Sequence, residues 1–240
     1  MDAAAPLCSD SVFRSKALEL LGRDDHFDLC VSCGLCASGC PASGLERMDP
    51  RRFVRLAALG QDQILETTPW VWMCTMCRRC TQVCPLSIDI PALVYLARSR
   101  WPREKRPRGI TGSCDAALST GSLAATGIRP EDFRFVVGDV LEEVRQERPQ
   151  FARIDAPMDR KGAKFFLNQN SREPTTEPEE MAPLWKVLDL VGADWTYSSL
   201  GWSAENYCMF AADDAGWEEI VRRKVRAVEE LGCEVWLNTE

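Results

Sequence analysis

The sequence predicts an α+β chain, in which a helical domain built around two cysteine-rich loops precedes a small parallel α/β unit. Three observations carry that expectation. Two short runs of four cysteines lie 44 residues apart, flanked by helical patterns. From about residue 160 the rhythm changes to strand, helix, strand, helix, strand, the alternation of a parallel sheet with right-handed crossovers. Hydrophobic residues make up 45% and charged residues 27% of the 240, ordinary values for a folded chain and too apolar for a disordered one.

The elements follow in order. Val12, Phe13, Ala17, Leu18, Leu20 and Leu21 recur at helical spacing, and Gly22 supplies a stop. Between the cysteine runs, Asp49 and Pro50 form a cap and first helical position for RRFVRLAALG. Phe53, Leu56, Ala57 and Leu59 are its expected inner stripe. After the second run, IPALVYLARSR reads as a helix with Pro91 in its first turn. These elements make residues 1–100 one domain. Residues 101–160 are expected to be a basic linker and connecting segment. Over residues 98–113, Arg98, Arg100, Arg103, Lys105, Arg106 and Arg108 outnumber Glu104 and read as a solvated linker or a docking strap for an acidic partner. DFRFVVGDVLEEVRQERP is a helix or a strand–helix pair. Residues 161–240 supply AKFFLN as a first strand, MAPLWKVLDLVG as a helix, and ADWTYSS as a second strand. GWEEIVRRKVRAVEELG is the second helix and CEVWLN the third strand. The helical stripes are Met181, Leu184, Trp185, Leu188 and Val191, then Ile220, Val221, Val225, Val228 and Leu231.

Composition narrows the function classes. A formal net charge of -7 argues against non-specific nucleic-acid binding, which needs a basic field. No apolar run approaches the ~18 residues of a bilayer span, and the first residues show no secretion signal. Twelve cysteines and one histidine are unusual counts. With no signal, the cysteines imply a reducing, cytoplasmic setting in which thiols serve metals or redox chemistry rather than bridges. One histidine excludes His-rich zinc sites and a Rieske centre, and leaves only His26 for a Ser–His or Cys–His pair.

Eight cysteines fall in the two runs. Cys30, Cys33, Cys36 and Cys40 precede Pro41 in CVSCGLCASGCP; Cys74, Cys77, Cys80 and Cys84 precede Pro85 in CTMCRRCTQVCP. Each residue of the second set lies 44 positions after its counterpart, an internal duplication of C-x2-C-x2-C-x3-C-P. That spacing is the signature of a two-cluster bacterial ferredoxin, so the first 100 residues are expected to be a helical two-[4Fe-4S] ferredoxin-like domain. Three thiolates of each run face one cubane, and the fourth, beside proline, completes the other. One cluster is therefore expected on Cys30, Cys33, Cys36 and Cys84, the second on Cys74, Cys77, Cys80 and Cys40. Two zinc ribbons are the competing reading, although zinc knuckles usually offer separated C-x2-C pairs. Gly34 and Gly39 are expected to let the backbone approach the first cluster. Cys8, Cys114, Cys208 and Cys233 read as buried or incidental thiols, Cys233 as core and Cys208 alternatively as a remnant ligand or redox thiol. His26 reads as an exposed or capping residue, or as a modulator of the first cluster.

The first 100 residues resemble the C-type subunit of heterodisulfide reductase and the matching part of its fused D-type subunit. CVSCGLCASGCP, the DPRRFVRLAALG helix, WMCTMCRRCTQVCP with Trp72, and IDIPALVYLAR carry the resemblance. Related helical dicluster modules occur in glycolate oxidase and succinate dehydrogenase iron–sulfur subunits. The tail resembles the start of the cysteine-rich domain of the B-type catalytic subunit, whose CCG motifs bind non-cubane clusters. It departs from that pattern: Asn168, Gln169, Asn170 and Ser171 follow the first strand, and only Cys208 lies near the expected cysteine pair. The resemblance implies a degenerate docking domain, like that of the longer C-type subunit of sulfur-oxidising heterodisulfide-reductase-like complexes.

It implies an electron-transfer subunit, with no catalytic residue of its own, relaying electrons between a flavin/iron–sulfur A-type partner and a cysteine-rich B-type catalytic subunit. A truncated catalytic D-type reductase, or the iron–sulfur subunit of a glycolate- or succinate-type flavin dehydrogenase, stays open. The chain stops at WLNTE, at the carboxyl edge of its expected sheet, where ligands of such sheets bind. Either the chain is cut short there or a partner subunit completes that edge; a selenocysteine codon read as a stop is a further account.

Overall fold

A computed structural model describes residues 11–22 and 27–239. Cys8 and His26 lie outside the described residues. The chain divides into two compact units, Met1–Pro107 and Arg108–Glu240.

The first unit is helical. α1 (Val12–Leu21) is capped by Ser11, whose hydroxyl accepts from the Arg14 N–H at 2.9 Å, and ends at Gly22, which takes φ +82°. α2 (Leu35–Ser38) is a single turn inside the first cysteine run. α3 (Pro50–Ala58) starts as the sequence predicts: the Asp49 carboxylate accepts from the Arg52 N–H at 2.7 Å, and Pro50 occupies the first position. α4 (Asp62–Leu65) follows, and Asp62 accepts from the Phe13 N–H and the Ser11 hydroxyl. α5 (Arg79–Gln82) is the second-run counterpart of α2, and α6 (Ile90–Ser99) is capped by Asp89. The core is aromatic and aliphatic: Phe13, Phe27, Phe53, Leu65, Trp70, Val71, Leu93 and Val94 are all essentially inaccessible. Trp70 packs 5.3 Å from the Phe53 ring and donates its indole N–H to Ala42 O at 3.0 Å. That satisfied N–H is what lets so large a polar-tipped side chain sit in a core. The α3 stripe differs by one place from its expectation, since Val54 is buried and Leu59 exposed.

The basic stretch does not stand in solvent throughout. Arg98 is 1% exposed, Arg100 pairs with Glu66, and Arg106 donates to Trp101 O and Ser99 O at 2.9 and 3.2 Å. Three of the six cations thus satisfy carbonyls or a carboxylate of their own unit.

The second unit begins with α7 (Arg108–Ser119) and α8 (Pro130–Glu147). The stretch expected as a helix or a strand–helix pair is one helix, burying Phe133, Val137, Val140, Leu141 and Val144. β1 (Phe165–Asn168) leads through α9 (Glu173–Thr176) and α10 (Ala182–Leu190) to β2 (Trp195–Thr196). α11 (Tyr207–Phe210) and α12 (Asp214–Leu231) then lead to β3 (Val235–Asn238). The sheet is parallel, ordered β2-β1-β3, with Phe165 opposite both Trp195 and Val235. β1 is central because FFLN is almost continuously buried, the pattern of a strand covered on both faces. Leu167 joins Phe133, Trp185, Trp195 and Trp202 in the larger core.

Four expectations in this unit are corrected. Val191 and Val225 are 70% and 39% exposed, while Lys224, one place before Val225, is 3% exposed. Cys233 is only half-buried, because β3 is an outer strand with Val235 and Trp236 at the surface. Cys114 and Cys208 are not incidental free thiols: they form a disulfide joining α7 to α11, so the expectation that the cysteines serve metals or redox chemistry rather than bridges does not hold for this pair. Gly216 makes room for it, since a Cβ there would lie 3.2 Å from Cys208 Sγ. Among the described residues no helix is long and apolar enough to cross a membrane.

Candidate metal centre

The two cysteine loops share one backbone path. Ser32 and Met76, 44 residues apart, both take φ +56°; Gly34 and Arg78, again 44 apart, take +88° and +62°. Each run therefore winds through two left-handed residues before entering its one-turn helix, α2 or α5. The exposure of the thiols repeats as well. Cys33 and Cys77 are exposed, Cys36 and Cys80 buried, and the remaining four intermediate. Gly39 is another matter. Its φ of -92° suits any residue, and its counterpart Val83 takes -88°, so glycine is not required there.

Two cavities result. One is lined by Cys30, Cys33, Cys36 and Cys84, with Gly34, Leu35, Arg51 and Val54 among its other walls. The other is lined by Cys40, Cys74, Cys77 and Cys80, with Trp70, Arg78, Arg79 and Ile90. Each quartet takes three cysteines from one run and one from the other, the fourth arriving across the pseudo-repeat. Among the described residues no three His, Cys, Asp or Glu side chains converge on a single-ion position. The thiols instead border a space, and eight sulfur donors without histidine suit a multi-iron cluster better than a lone zinc.

The electrostatics of the thiols follow from burial. Desolvation pushes Cys36 up to about 11, with Cys30, Cys84 and Asp49 adding to the effect. Cys80 is pushed up to about 12, again by burial first and by Cys74 and Cys40 next. Cys74 is raised by burial, opposed by the Met76 N–H, 3.4 Å from its sulfur, and by the Arg98 charge. Exposed Cys77 is lowered, chiefly by the Arg79 backbone N–H.

Arg98 is the residue that sequence reasoning misplaced. Its Nε and Nη2 donate to Val71 O at 2.9 and 2.7 Å, Nη2 also to Cys74 O at 2.5 Å, and Nη1 to Met76 Sδ at 3.4 Å. The guanidinium lies 5.2 Å from the Trp72 ring centre, and Trp72 meets Trp101 edge-on at 5.7 Å. Burial lowers Arg98 to about 10, which leaves it cationic at neutral pH. The signal in the sequence was its place in the α6 pattern, seven residues after Pro91 and next to the buried Ala97.

Asn168 and Gln169, which stand where the tail's resemblance would place cysteine, are structural. Asn168 donates to Gly201 O at 2.7 Å and accepts from the Trp236 indole; Gln169 accepts from the Tyr197 hydroxyl at 2.6 Å. Near the carboxyl edge of the sheet lies a cavity of about 430 Å³, bordered by Glu205, Trp217, Lys224, Trp236 and Asn238 among others. Its walls offer carboxylate, ammonium, amide and indole groups rather than thiols.

Comparison with known proteins bears on the first unit. Residues 26–88 match the family model described as a 4Fe-4S dicluster domain. The C-type subunit of the H(2):CoB-CoM heterodisulfide,ferredoxin reductase of Methanothermobacter marburgensis is 33% identical over 75 residues, covering 31% of this chain and 40% of that protein. A protein of Archaeoglobus profundus, named as similar to the C-type subunit of heterodisulfide reductase, is 33% identical over 103 residues, 42% of this chain and 47% of its own. The iron-sulfur subunit 2 of an Hdr-like menaquinol oxidoreductase of Archaeoglobus fulgidus is 28% identical over 144 residues, 49% of this chain and 26% of that one. The chain thus spans less than half the length of these relatives. No solved structure matches it. Residues 26–88 are thus similar to a 4Fe-4S dicluster domain, and the chain is similar over 31% and 42% of its length to C-type subunits of heterodisulfide reductase and proteins like them.

Proposed function

We propose that this chain is the electron-transfer iron–sulfur subunit of a heterodisulfide-reductase-like complex and holds two [4Fe-4S] clusters. Cys30, Cys33, Cys36 and Cys84 hold one; Cys74, Cys77, Cys80 and Cys40 hold the other. The observation that carries this reading is the pair of cavities, each lined by four thiols and each borrowing one across the repeat. When bound, each cluster supplies a one-electron couple. The chain's own residues hold it in place, keep it from water with Trp70, Val54 and Ile90, and fix the separation by sharing ligands between the runs. Exposed Cys33 and Cys77 mark where each cluster would come nearest the surface, and so where electrons would enter or leave.

On this reading the partners are a flavin/iron–sulfur A-type subunit and a cysteine-rich B-type catalytic subunit. The second unit serves as a docking domain rather than a disulfide-reducing site, and the complex is cytoplasmic. Similarity to a menaquinol oxidoreductase subunit extends over about half the chain, beyond the cluster module, and favours a second reading in which the complex is quinol-linked.

The test is anaerobic purification with iron and sulfide analysis and EPR after reduction. About eight iron and eight sulfide per chain with two interacting cubane signals are expected. Zinc in an assembled sample, or an iron content far from that number, would refute the assignment. Replacing Cys84 alone should damage the cluster held mainly by the first run and spare the second. Purification of the native complex with a quinol-reacting partner would select the quinol-linked reading.

A further inference from the structure

The two halves of the repeat agree in backbone and differ in charge. At four registered positions the first run offers no side-chain donor or cation and the second offers one. Gly34 stands opposite Arg78, Leu35 opposite Arg79, Ala37 opposite Thr81 and Val54 opposite Arg98. If the registration is taken from the helix prolines instead, the counterpart of Arg98 becomes Ala57, equally apolar and buried.

These differences surround the second cavity. Arg78 and Arg79 line it, but Arg78 is exposed and paired with Asp89 at 2.8 Å, as Arg51 of the first cavity is with Asp49, so the contrast rests on Arg98 and Thr81. Arg98 is inaccessible and bonded to Cys74 O, so its charge is held against the first ligand of that quartet with little water to screen it. The Thr81 hydroxyl is buried and belongs to the residue next to Cys80, where it can serve as a donor to a ligand sulfur. The Trp72 and Trp101 indole N–H groups, in the aromatic cluster around Arg98, are buried without hydrogen-bond partners among the described residues. The first cavity has Val54 and Ser32 in its wall and one lining cation, Arg51, which lies 3.6 Å from the Asp49 carboxylate and is half exposed.

Reducing a cubane adds one negative charge to a site already negative. A nearby buried cation and a hydroxyl donor at a ligand sulfur stabilise the reduced form and raise the potential; an apolar wall and a carboxylate do neither. We infer that the cluster on Cys74, Cys77, Cys80 and Cys40 has the higher reduction potential of the two, and that Arg98 is the main residue setting the difference. Electrons arriving at either cluster then settle on the second-run cluster, which becomes the resting place of the first electron.

This inference rests on the dicluster reading, and iron analysis separates the two. A sample far from about eight iron defeats that reading, whereas a full sample with the wrong order of potentials defeats only the inference. The experiment is an EPR-monitored redox titration of the full chain, with Cys33→Ser as a marker of the first-run cluster. Two midpoints are expected, the higher belonging to the signal that Cys33→Ser leaves in place. If Cys33→Ser displaces the higher-potential signal, the inference is overturned. Arg98→Gln should shift the higher midpoint downward and leave the lower one unmoved, while Arg98→Lys should retain most of it. An unmoved higher midpoint in an Arg98→Gln sample of full iron content overturns the role given to Arg98. Because Arg98 is buried, its neutral variant can fail to assemble. Thr81→Val removes only a hydroxyl and should shift the same midpoint downward by a smaller amount; a shift in the other signal counts against the inference.

Discussion

Gly34 and Arg78 occupy the same left-handed turn in the two repeats, and only one of them suits it. An L-residue in that region costs roughly 1–2 kcal/mol relative to glycine. Gly34→Ala is therefore expected to lower the stability of the first unit by about 1 kcal/mol. Arg78→Gly is expected to raise it by a similar amount, because the ion pair it loses, to Asp89 at 2.8 Å, has its arginine 59% exposed and is worth less than ~1 kcal/mol. Denaturant midpoints of the cluster-loaded variants should move in opposite directions; movement in the same direction would show that Arg78 is held there by more than backbone geometry. The eight cysteines were legible because their spacing is itself the chemistry. Arg98 and Lys224 were not. Each sits where an apolar stripe passes, and its partners, Val71 O and Cys74 O for one and Ser203 O for the other, lie far away in the chain. A pattern one residue wide cannot show that a long cation will turn inward when carbonyls are waiting for it.

The loops between regular elements are held by side chains acting as local anchors, and Glu205 is the clearest case. It is 4% exposed, and its carboxylate accepts the backbone N–H groups of Ala125, Asn206 and Tyr207 at 2.8, 2.8 and 2.7 Å. Burial raises its pKa, while those three donors and Lys224 favour the charged form. Glu205→Ala leaves three donors without their acceptor, and each lost partner costs about 1 kcal/mol or more when the group stays buried. Loss of about 3 kcal/mol from the second unit is expected, with iron content unchanged; a loss below about 1 kcal/mol would mean that water replaces the carboxylate. Helices with caps, prolines and terminal glycines were legible at this scale: Asp49 before Pro50 and Gly22 stand at the ends where they were expected, and Gly232 closes α12 in the left-handed region. α9 and the loop stitched by Glu205 were not: α9 is one turn, too short to display a period, and the loop is tied to Ala125, 80 residues earlier, by a single carboxylate. β2 was legible only as a location, since two paired residues are too few to display an alternation.

At the scale of the whole molecule, the twelve cysteines divide by chemistry: eight line cavities, two are joined, and the joined pair was hidden by its spacing. Cys114 and Cys208 are 94 residues apart and belong to no motif, so only the fold brings α7 against α11. Both sulfurs are inaccessible, packed with Ala117, Ala211 and Ile220. A bridge closing so long a loop restricts the unfolded chain strongly, and the chain-entropy account assigns about 4–5 kcal/mol to a loop of this length. Native stability of the second unit should therefore depend on redox state while the cysteines of the first unit do not share in the effect. Urea unfolding followed by tryptophan fluorescence is expected to show a lower midpoint for Cys208→Ser than for the parent under non-reducing, anaerobic conditions. With a strong dithiol present the parent should fall towards the variant, because opening the second unit exposes the bridge to exchange. The iron content of the folded samples should stay the same throughout, since neither Cys114 nor Cys208 lines a cysteine cavity. Equal midpoints with and without the dithiol, together with two additional thiols titrated in the denatured non-reduced chain, would show that the pair is not bridged in the protein as isolated.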